Sequence, residues 1–360
     1  MIGVDLFSGA GGMTLGAKLA GVNVVFAVEA DRHAALTYAF NHPGVELFAD
    51  DIRKLRKIPG STEGQQTILF GGPPCQGFST SNQRTRNRAN KANWMFQEFI
   101  RLARSWRPDW IVFENVKGIA ETEGGEFLKI ILRDFENLGY ALSKGILNAA
   151  KFGVPQRRER LFVIGSRRGI IVPMPEPTTP NPIPVQRAFT DLPILENGAD
   201  VECLPYRCSA RSEYVHQLRN GEVEVSGNLV TRNADFVLKR YKYVKPGGNW
   251  EDIPPRLMAN YRVDFECHTG IYHRLDPIKP SVVIGNYRKN MLIHPFQNRG
   301  LSVREAARIQ SFPDRYQFKG SIGFQQQQVG NAVPPLLARE AFKSVLVASE
   351  QFLARKSSRT

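Results

Sequence analysis

Continuous apolar runs and amphipathic stretches alternate along the first half of the chain. The apolar runs predict buried strands, and apolar residues spaced three or four apart predict the helices between them. The predicted strands are 1–7, 22–29, 67–72, 110–114 and 160–165, and the predicted helices are 12–19, 32–40, 94–106 and 127–138. Strands that alternate with helices predict an α/β fold, in which helices cover both faces of a parallel sheet.

This alternation ends near Ile171, where a proline-rich stretch begins. Residues 173–193 are typical of a stiff linker, because proline restricts the backbone. From about 185 to 280 the pattern is irregular, with short β-like segments, and regular helical patterns return only at 303–310 and 336–348. Since 360 residues can bury a large core, we expect two domains.

Composition narrows the class of protein. The net charge is +14, and the excess is concentrated: residues 84–107 hold seven basic residues and one acidic, and residues 151–168 hold six and one. Such patches favour a polyanionic substrate, although a solvated basic face would give the same charge. No apolar stretch approaches about 18 residues, so no transmembrane helix is expected. The four cysteines lack metal-binding spacing, which indicates a reduced, intracellular protein without structural zinc.

The segment from Gly71 to Gln76 follows directly after the apolar run 66–70. Ligands of parallel α/β sheets bind at the carboxyl ends of the strands, which is where this segment lies. Its two prolines restrict the backbone before Cys75, and its two glycines leave room for a ligand beside it. Cys75 is therefore placed as a nucleophile, and a buried, inert cysteine is the alternative.

A second group of candidates lies at neighbouring strand ends. Residues 5–12 form a glycine-rich turn that opens a helix, where backbone N–H groups can approach a ligand closely. Glu29 ends the second strand and can accept hydrogen bonds from ribose hydroxyls. Asp51 can meet an exocyclic amine, and Ile52 can pack on a purine. These residues favour an adenosine ligand, with NAD and a plain tight turn as alternatives.

Glu114 is the second candidate acid, at the end of the strand 110–114. Partial desolvation there would raise its pKa and let it hold a proton near neutral pH, whereas helix capping is the alternative. In the segment 156–160, alternate residues would share one face of a strand. Two arginines on one face repel each other unless an anion or acceptor lies between them. This face is therefore predicted to meet substrate, with a surface strand paired through Glu159 as the alternative.

Together these motifs closely resemble the bacterial DNA cytosine-5 methyltransferases, which use S-adenosylmethionine. The matching blocks, in family order, are Phe7-x-Gly9-x-Gly11-Gly12, Glu29, Asp51-Ile52, Pro74-Cys75-Gln76, Glu114-Asn115-Val116, Gln156-x-Arg158-x-Arg160, 304–313 and 328–334. They span residues 5–334, and eight blocks in order make the resemblance specific. The stretch from about 185 to 267 matches nothing, and in this family it is the variable target-recognition region. One departure is Val283, where the family commonly has a threonine that contacts phosphate.

The resemblance implies a doubly wound, mostly parallel sheet of the Rossmann-like methyltransferase type, with a second, smaller, irregular β-rich domain. We expect residues 1–180 to form the catalytic domain that binds the cofactor. Residues 181–322 would form the target-recognition domain, and residues 323–360 would return to the first domain.

The resemblance also assigns roles to residues. The expected catalytic residues are Cys75, Gln76, Glu114, Asn115, Arg158 and Arg160. The expected S-adenosyl-L-methionine site comprises Phe7, Ser8, Gly9, Gly11, Gly12, Glu29, Ala30, Asp51, Ile52, Pro74, Asn331 and Val333. The expected DNA contacts are Ser79, Arg84, Arg86, Arg88, Gln156, Arg158 and Arg160. Residues 76–93 are expected to form a loop that closes when DNA binds, with simple solvated disorder as the alternative, and no metal is expected.

The implied reaction begins when Cys75 adds to carbon 6 of a flipped-out cytosine, while protonated Glu114 stabilises the charge at N3. Carbon 5 then takes the methyl group. We expect a cytoplasmic monomer that acts on double-stranded DNA, away from membranes, as the modification enzyme of a restriction–modification system. A cognate restriction endonuclease would act separately. The alternatives are a tRNA cytosine-5 methyltransferase and a catalytically inactive DNA-binding homologue.

Overall fold

The computed structural model describes residues 1–60, 64–74, 94–259, 270–285, 287–288 and 291–357. The strands are β1 (Ile2–Leu6), β2 (Asn23–Val28), β3 (Glu46–Phe48), β4 (Thr67–Gly71), β5 (Trp110–Val116), β6 (Ala141–Asn148), β7 (Glu159–Ser166), β8 (Asp200–Pro205) and β9 (Glu224–Leu229). The helices are α1 (Gly12–Ala20), α2 (Arg32–Asn41), α3 (Phe96–Trp106), α4 (Glu126–Asn137), α5 (Val185–Phe189), α6 (Glu213–Arg219), α7 (Asp235–Tyr241), α8 (Val303–Ile309), α9 (Ile322–Asn331) and α10 (Pro335–Ser357).

Seven strands form one sheet in the order β3-β2-β1-β4-β5-β7-β6. The first five of these strands, from β3 to β5, run parallel to one another. The chain winds outward in both directions from the pair β1 and β4, so the strand order reverses at that point. The expected doubly wound, mostly parallel sheet is therefore confirmed.

The prediction that 160–165 is a parallel strand is wrong. β7 runs antiparallel to both β5 and β6. The connection from β6 to β7 contains only a short 3-10 turn at Ala149–Phe152, and a parallel pair would need a crossover of a dozen or more residues. The prediction also omits β3 and β6. β3 has three residues, and β6 is mostly half-buried or exposed, so neither gives a continuous apolar run.

Helices pack on the sheet through aromatic and small residues. Phe99 of α3, Phe113 of β5 and Phe135 of α4 meet edge to face, with ring centroids 5.5 to 6.0 Å apart. α10 extends beyond the predicted 336–348 and lies against α1. A Cβ on Gly16 would come within 2.5 Å of the Ala338 Cβ, so only glycine allows this approach. The core thus fixes α1, which begins at the glycine-rich turn.

Two compact units make up the chain. The first contains Met1–Phe152, Glu159–Thr178 and Val333–Thr360, and the second contains Gly153–Arg158 and Thr179–Ala332. This division differs from the predicted boundaries, since 153–158 and α9 group with the second unit. The predicted boundaries themselves stay predictions.

Buried ion pairs organise the second unit. Arg308 of α8 is fully buried, and its guanidinium pairs with Asp191 and with Asp314, the latter at 2.6 Å. Arg299 donates to Glu305 at 2.7 Å, and Glu305 completes a capping box with Ser302 at the start of α8. Among its described residues, the sheet structure of this unit is the antiparallel pair β8 and β9.

Candidate active site

Four neighbouring strands bring candidate residues to one edge of the sheet. Val28, Leu6, Gly71 and Phe113 are in register across β2, β1, β4 and β5. The residues that follow them are Glu29, Phe7, Gly72 and Glu114. Because these four strands are parallel, all four residues lie at the carboxyl edge of the parallel part of the sheet, where ligands of such folds bind.

The glycine-rich turn is held by the Glu29 carboxylate. The N–H of Gly9 donates to Glu29 Oε2 at 2.6 Å, and the N–H of Asp31 donates to Oε1 at 2.7 Å. Desolvation raises the pKa of Glu29, and these backbone hydrogen bonds oppose the shift. Phe7 and Gly11 both adopt the left-handed region, with φ of 60° and 89°. The expected turn residues therefore form one rigid loop between β1 and α1.

A buried carboxyl group that sequence reasoning missed lies beneath this turn. Gly11, the N-cap of α1, makes no side-chain capping bond. Instead Asp5, on β1, accepts hydrogen bonds from the Thr14 hydroxyl at 2.6 Å and from the Thr14 N–H. The Thr14 hydroxyl also lies 2.9 Å from the Tyr38 hydroxyl. The signal in the sequence is an acid inside an otherwise apolar strand.

Burial has a large effect on this carboxyl. Desolvation raises the pKa of Asp5 from 3.8 to about 8, against the opposing bonds from Thr14. Asp5 Oδ1 and the nearby Ser8 Oγ are both buried, and neither has a hydrogen-bond partner among the described residues. Ser8 itself is tied to the sheet by its N–H, which donates to the Val28 carbonyl at 3.0 Å.

The expected adenosine contacts lie beyond β3. Ile52 is buried, and Asp51 caps the short 3-10 turn Ile52–Lys54. The Asp51 carboxylate forms an ion pair with Arg53, with Nε 2.9 Å from Oδ2, and this bond lowers the pKa of Asp51 to about 2. Asp51 is therefore an acceptor at any physiological pH, and Ala30 is exposed beside Glu29.

The approach to Cys75 is described as far as Pro74. Asn115 Nδ2 donates to the Pro73 carbonyl at 3.4 Å, and Asn115 Oδ1 accepts from the N–H of Val116 at 2.9 Å. Asn115 thus connects β5 to the proline segment. The remaining predicted residues of this segment lie outside the described residues: Cys75, Gln76, Ser79, Arg84, Arg86 and Arg88.

Glu114 forms the most constrained contact at this edge. Its carboxylate is buried, and Oε1 lies 3.0 Å from Arg160 Nε, on the antiparallel neighbour β7. A Cβ on Gly72 would come within 2.6 Å of Glu114 Oε2, so the carboxylate in its present position requires glycine there. Desolvation lowers the pKa of Arg160, and the charge of Glu114 opposes this shift. The structure thus brings Glu114 and Arg160 together, a contact that the sequence did not predict.

Gln156 and Arg158 do not share a strand with Arg160, because β7 begins at Glu159. Gln156 is fully buried in the second unit, and its amide donates to Gln310 Oε1 at 2.9 Å. Arg158 is 1% exposed and donates to the Gly330 carbonyl at 3.0 Å. Both side chains are engaged by protein groups, so their predicted DNA contacts stay predictions that this packing does not favour.

The last two predicted cofactor residues lie at the end of α9 and just before α10. Asn331 ends α9 and is exposed, whereas Val333 is buried. Asn331 belongs to the second unit and Val333 to the first.

In the part of the chain that the structure describes, no group of three or more His, Cys, Asp or Glu residues could hold a metal ion. None of the described helices is both long enough and apolar enough to cross a membrane.

Comparison with known proteins agrees with this geometry. The profile of the C-5 cytosine-specific DNA methylase family matches residues 1–346. The type II methyltransferase M.DdeI of Desulfomicrobium norvegicum is 35% identical, over 93% of this chain and 86% of the relative. M1.HphI of Haemophilus parahaemolyticus is 36% identical, over 95% and 86%. A solved DNA modification methyltransferase encoded within a prophage of E. coli superposes with a TM-score of 0.78 at 25% identity, covering 97% of this chain and 99% of that one.

The chain belongs to the C-5 cytosine-specific DNA methylase family. Its fold and its matched relatives make it a DNA cytosine-5 methyltransferase.

Proposed function

We propose that the chain methylates carbon 5 of a flipped-out cytosine in a specific duplex DNA sequence, through a covalent bond between Cys75 and carbon 6. The main observation that supports this proposal is the buried Glu114 carboxylate, which is paired with Arg160 and lies against Gly72. Gly72 precedes Cys75 by three residues. The names of M.DdeI and M1.HphI support a modification enzyme of the type II restriction–modification kind.

S-adenosyl-L-methionine fits the residues at the glycine turn. The Ser8 hydroxyl is buried without a partner among the described residues, and a Cβ on Gly9 would find no atom within 4 Å, which leaves open space beside the turn. Glu29 would accept from ribose hydroxyls, while Asp51 and Ile52 would hold the adenine. When bound, this cofactor supplies an electrophilic methyl group. Asn331, Val333 and Pro74 would complete the site.

The chain's own residues activate the cytosine. The Cys75 thiolate adds to carbon 6, which breaks the aromatic ring and makes carbon 5 nucleophilic. A proton held between Glu114 and N3 stabilises the negative charge that develops in the ring. After transfer, a base removes the proton from carbon 5, and elimination breaks the bond between carbon 6 and the Cys75 sulfur. Access to both faces of the ring requires a base outside the helix stack.

The pair between Glu114 and Arg160 sets a condition on this chemistry. A neighbouring guanidinium stabilises the carboxylate and opposes its protonation. We therefore infer that Glu114 takes up its proton only as the base enters, when N3 provides a new partner. Arg160 would then be released toward the base oxygen.

A covalent trap tests this proposal. Duplex DNA that carries 5-fluorocytosine at the target blocks removal of the carbon 5 substituent, so the adduct accumulates. Bisulfite sequencing of DNA from cells that express the chain first identifies the target. We expect an adduct with the wild-type protein and with Cys203→Ser, the exposed control, and none with Cys75→Ser.

The alternatives predict different outcomes in the same experiments. Transfer to tRNA but not to duplex DNA would indicate the RNA enzyme. Neither an adduct nor methyl transfer from the wild-type chain would indicate an inactive DNA-binding homologue. Methylation by Cys75→Ser at the wild-type rate would rule out the covalent mechanism.

A further inference from the structure

Residues 154–158 pair with residues 281–284 inside the second unit. Gln156 and Ser281 form a parallel bridge. The N–H of Arg157 donates to the Ser281 carbonyl at 2.8 Å, and the N–H of Ser281 donates to the Pro155 carbonyl at 2.9 Å. Because the two segments are extended here, consecutive side chains point to opposite sides. The pairing with Ser281 therefore decides which side chains of residues 156–158 point into the core of the second unit and which point to the surface.

The inward residues are Gln156 and Arg158. Gln156 Nε2 donates to Gln310, and Gln156 Oε1 accepts from the Ile284 N–H at 3.3 Å. Gln310 in turn donates to the Val329 carbonyl at 2.7 Å, next to the Gly330 carbonyl that binds Arg158. These bonds tie the 154–158 segment to α8 and α9. Gln156 Nε2 also donates to the Ile309 carbonyl at 3.5 Å, so both of its N–H groups are directed at protein acceptors rather than at a phosphate.

The outward residue between them is Arg157, which is exposed. None of the ion pairs found among the described residues involves it. On the paired segment, Val282 and Val283 are 40% and 45% exposed, and neither side chain can donate a hydrogen bond. Of these three exposed residues, Arg157 is therefore the one that carries a charged donor. Its planar group of five N–H donors suits a phosphate oxygen pair.

We propose that Arg157 contacts a DNA phosphate, whereas Gln156 and Arg158 hold their segment through protein contacts and do not contact DNA. This proposal rests on the proposed function, in which duplex DNA is the substrate. It differs from the expectation drawn from the sequence motif, because the side that Gln156 and Arg158 share is buried and the exposed side belongs to Arg157. A phosphate contact adds affinity without reading sequence, so the target specificity would not depend on Arg157.

The test measures duplex DNA affinity as a function of salt concentration. For Arg157→Ala we expect the slope of log K against log salt to fall by about 0.9, the contribution of one phosphate contact on B-DNA. Arg157→Lys should restore most of the slope, since it keeps the charge. The matched control is Arg133→Ala on α4, whose side chain is 66% exposed, and its slope should equal that of the wild type. The bisulfite target should stay the same for all variants.

The variant Gln156→Leu tests whether Gln156 contacts protein groups only or also contacts DNA. Removing the buried amide leaves Gln310 and the Ile284 N–H without their partner, so Tm should fall while the salt slope stays near that of wild type. An unchanged slope in Arg157→Ala would overturn the proposal. So would a failure of Arg157→Lys to restore the slope, or an equal loss of slope in Gln156→Leu. If the wild type does not methylate duplex DNA, the proposed function fails instead.

Discussion

Two strand-end carboxylates of the first unit, Glu29 and Glu114, are held in opposite ways. Glu29 accepts from two backbone N–H groups, those of Gly9 and Asp31. Glu114 is paired with a side chain, Arg160, and lies against a glycine. A backbone partner stays in place while a ligand comes and goes, whereas an arginine can leave. The first arrangement suits steady binding of a cofactor, and the second suits a group that changes its proton during turnover.

Glu114→Gln should have the largest effect of the changes that separate these two sites. The amide keeps the shape but cannot carry the proton to N3, so kcat should fall by roughly 10²- to 10⁴-fold. Dissociation constants for cofactor and DNA should change by less than about threefold, since the substitution is nearly isosteric. Single-turnover methyl transfer, with calorimetry for both ligands, measures the two effects separately.

The control for this prediction is Glu136→Gln, an exposed glutamate on α4. It should transfer methyl groups like the wild type. If Glu114→Gln instead weakened cofactor binding and left kcat unchanged, Glu114 would be a binding residue and the comparison would fail.

Gly72→Ala should have the next largest effect. The new Cβ would lie 2.6 Å from Glu114 Oε2. Because that oxygen is the end of a side chain, Glu114 can move, and stability should fall by only about 1 kcal/mol. The movement disturbs the pair with Arg160, and a displacement on the order of 1 Å at a reacting group costs up to about 10²-fold in rate. We expect kcat to fall about 10- to 100-fold, measured beside the Tm.

Gly44→Ala is the matched control, since a Cβ there would meet no atom within 4 Å. Its kcat and Tm should stay near the wild-type values. A Gly72→Ala variant with wild-type kcat would mean that the Glu114 position is not critical for turnover.

Glu29→Gln should affect binding rather than turnover. Losing the charged acceptor weakens the hydrogen bonds that hold the glycine-rich turn and those expected from a ribose. The dissociation constant for S-adenosyl-L-methionine should therefore rise roughly tenfold, or about 1.4 kcal/mol. At saturating cofactor, kcat should stay within about twofold of the wild type. Calorimetry of cofactor binding without DNA measures the first value. A large loss of kcat at saturating cofactor would mean that Glu29, like Glu114, is needed for turnover, and would contradict the comparison.

The sequence predicts most of the sheet and the glycine-rich turn well, because both follow from local patterns. Continuous apolar runs mark β1, β2, β4 and β5, and the glycine-rich turn is contiguous in sequence. The strand direction of β7 was not predictable from its apolar pattern, which is the same for either direction. It depends on the length of the connection from β6.

Contacts between distant residues were harder to predict. The pairing of Arg157 with Ser281 joins positions 124 residues apart, and no local pattern gives its register. The motif spacing alone places Gln156 and Arg158 on a common face with Arg160. The structure shows that this common face is buried at Gln156 and Arg158, and that the exposed arginine lies between them. Likewise, an isolated Asp5 gives no sign that it binds Thr14.

Asp5→Asn should have the smallest effect on activity, with its main consequence in the pH dependence of stability. Burial raises the pKa of Asp5 from 3.8 to about 8, so the folded protein holds a proton that the unfolded chain releases. The contribution of Asp5 to stability is fully present below about pH 4 and is lost as the pH rises to about 8. Asparagine cannot ionise, so the stability of the variant relative to wild type should rise between about pH 4 and pH 8 and then level off.

Urea unfolding of both proteins across that pH range measures this difference, and Asp134→Asn on α4 serves as the partly exposed control. Asparagine still offers an oxygen to the Thr14 hydroxyl, so the turn itself should remain in place and cofactor affinity should stay close to that of the wild type. Parallel pH profiles for wild type and Asp5→Asn would mean that Asp5 is ionised throughout. Two negative charges, on Asp5 and Glu29, would then lie beside the glycine-rich turn. The backbone hydrogen bonds that Gly9 and Asp31 donate to Glu29 would have to hold the turn in place against their repulsion.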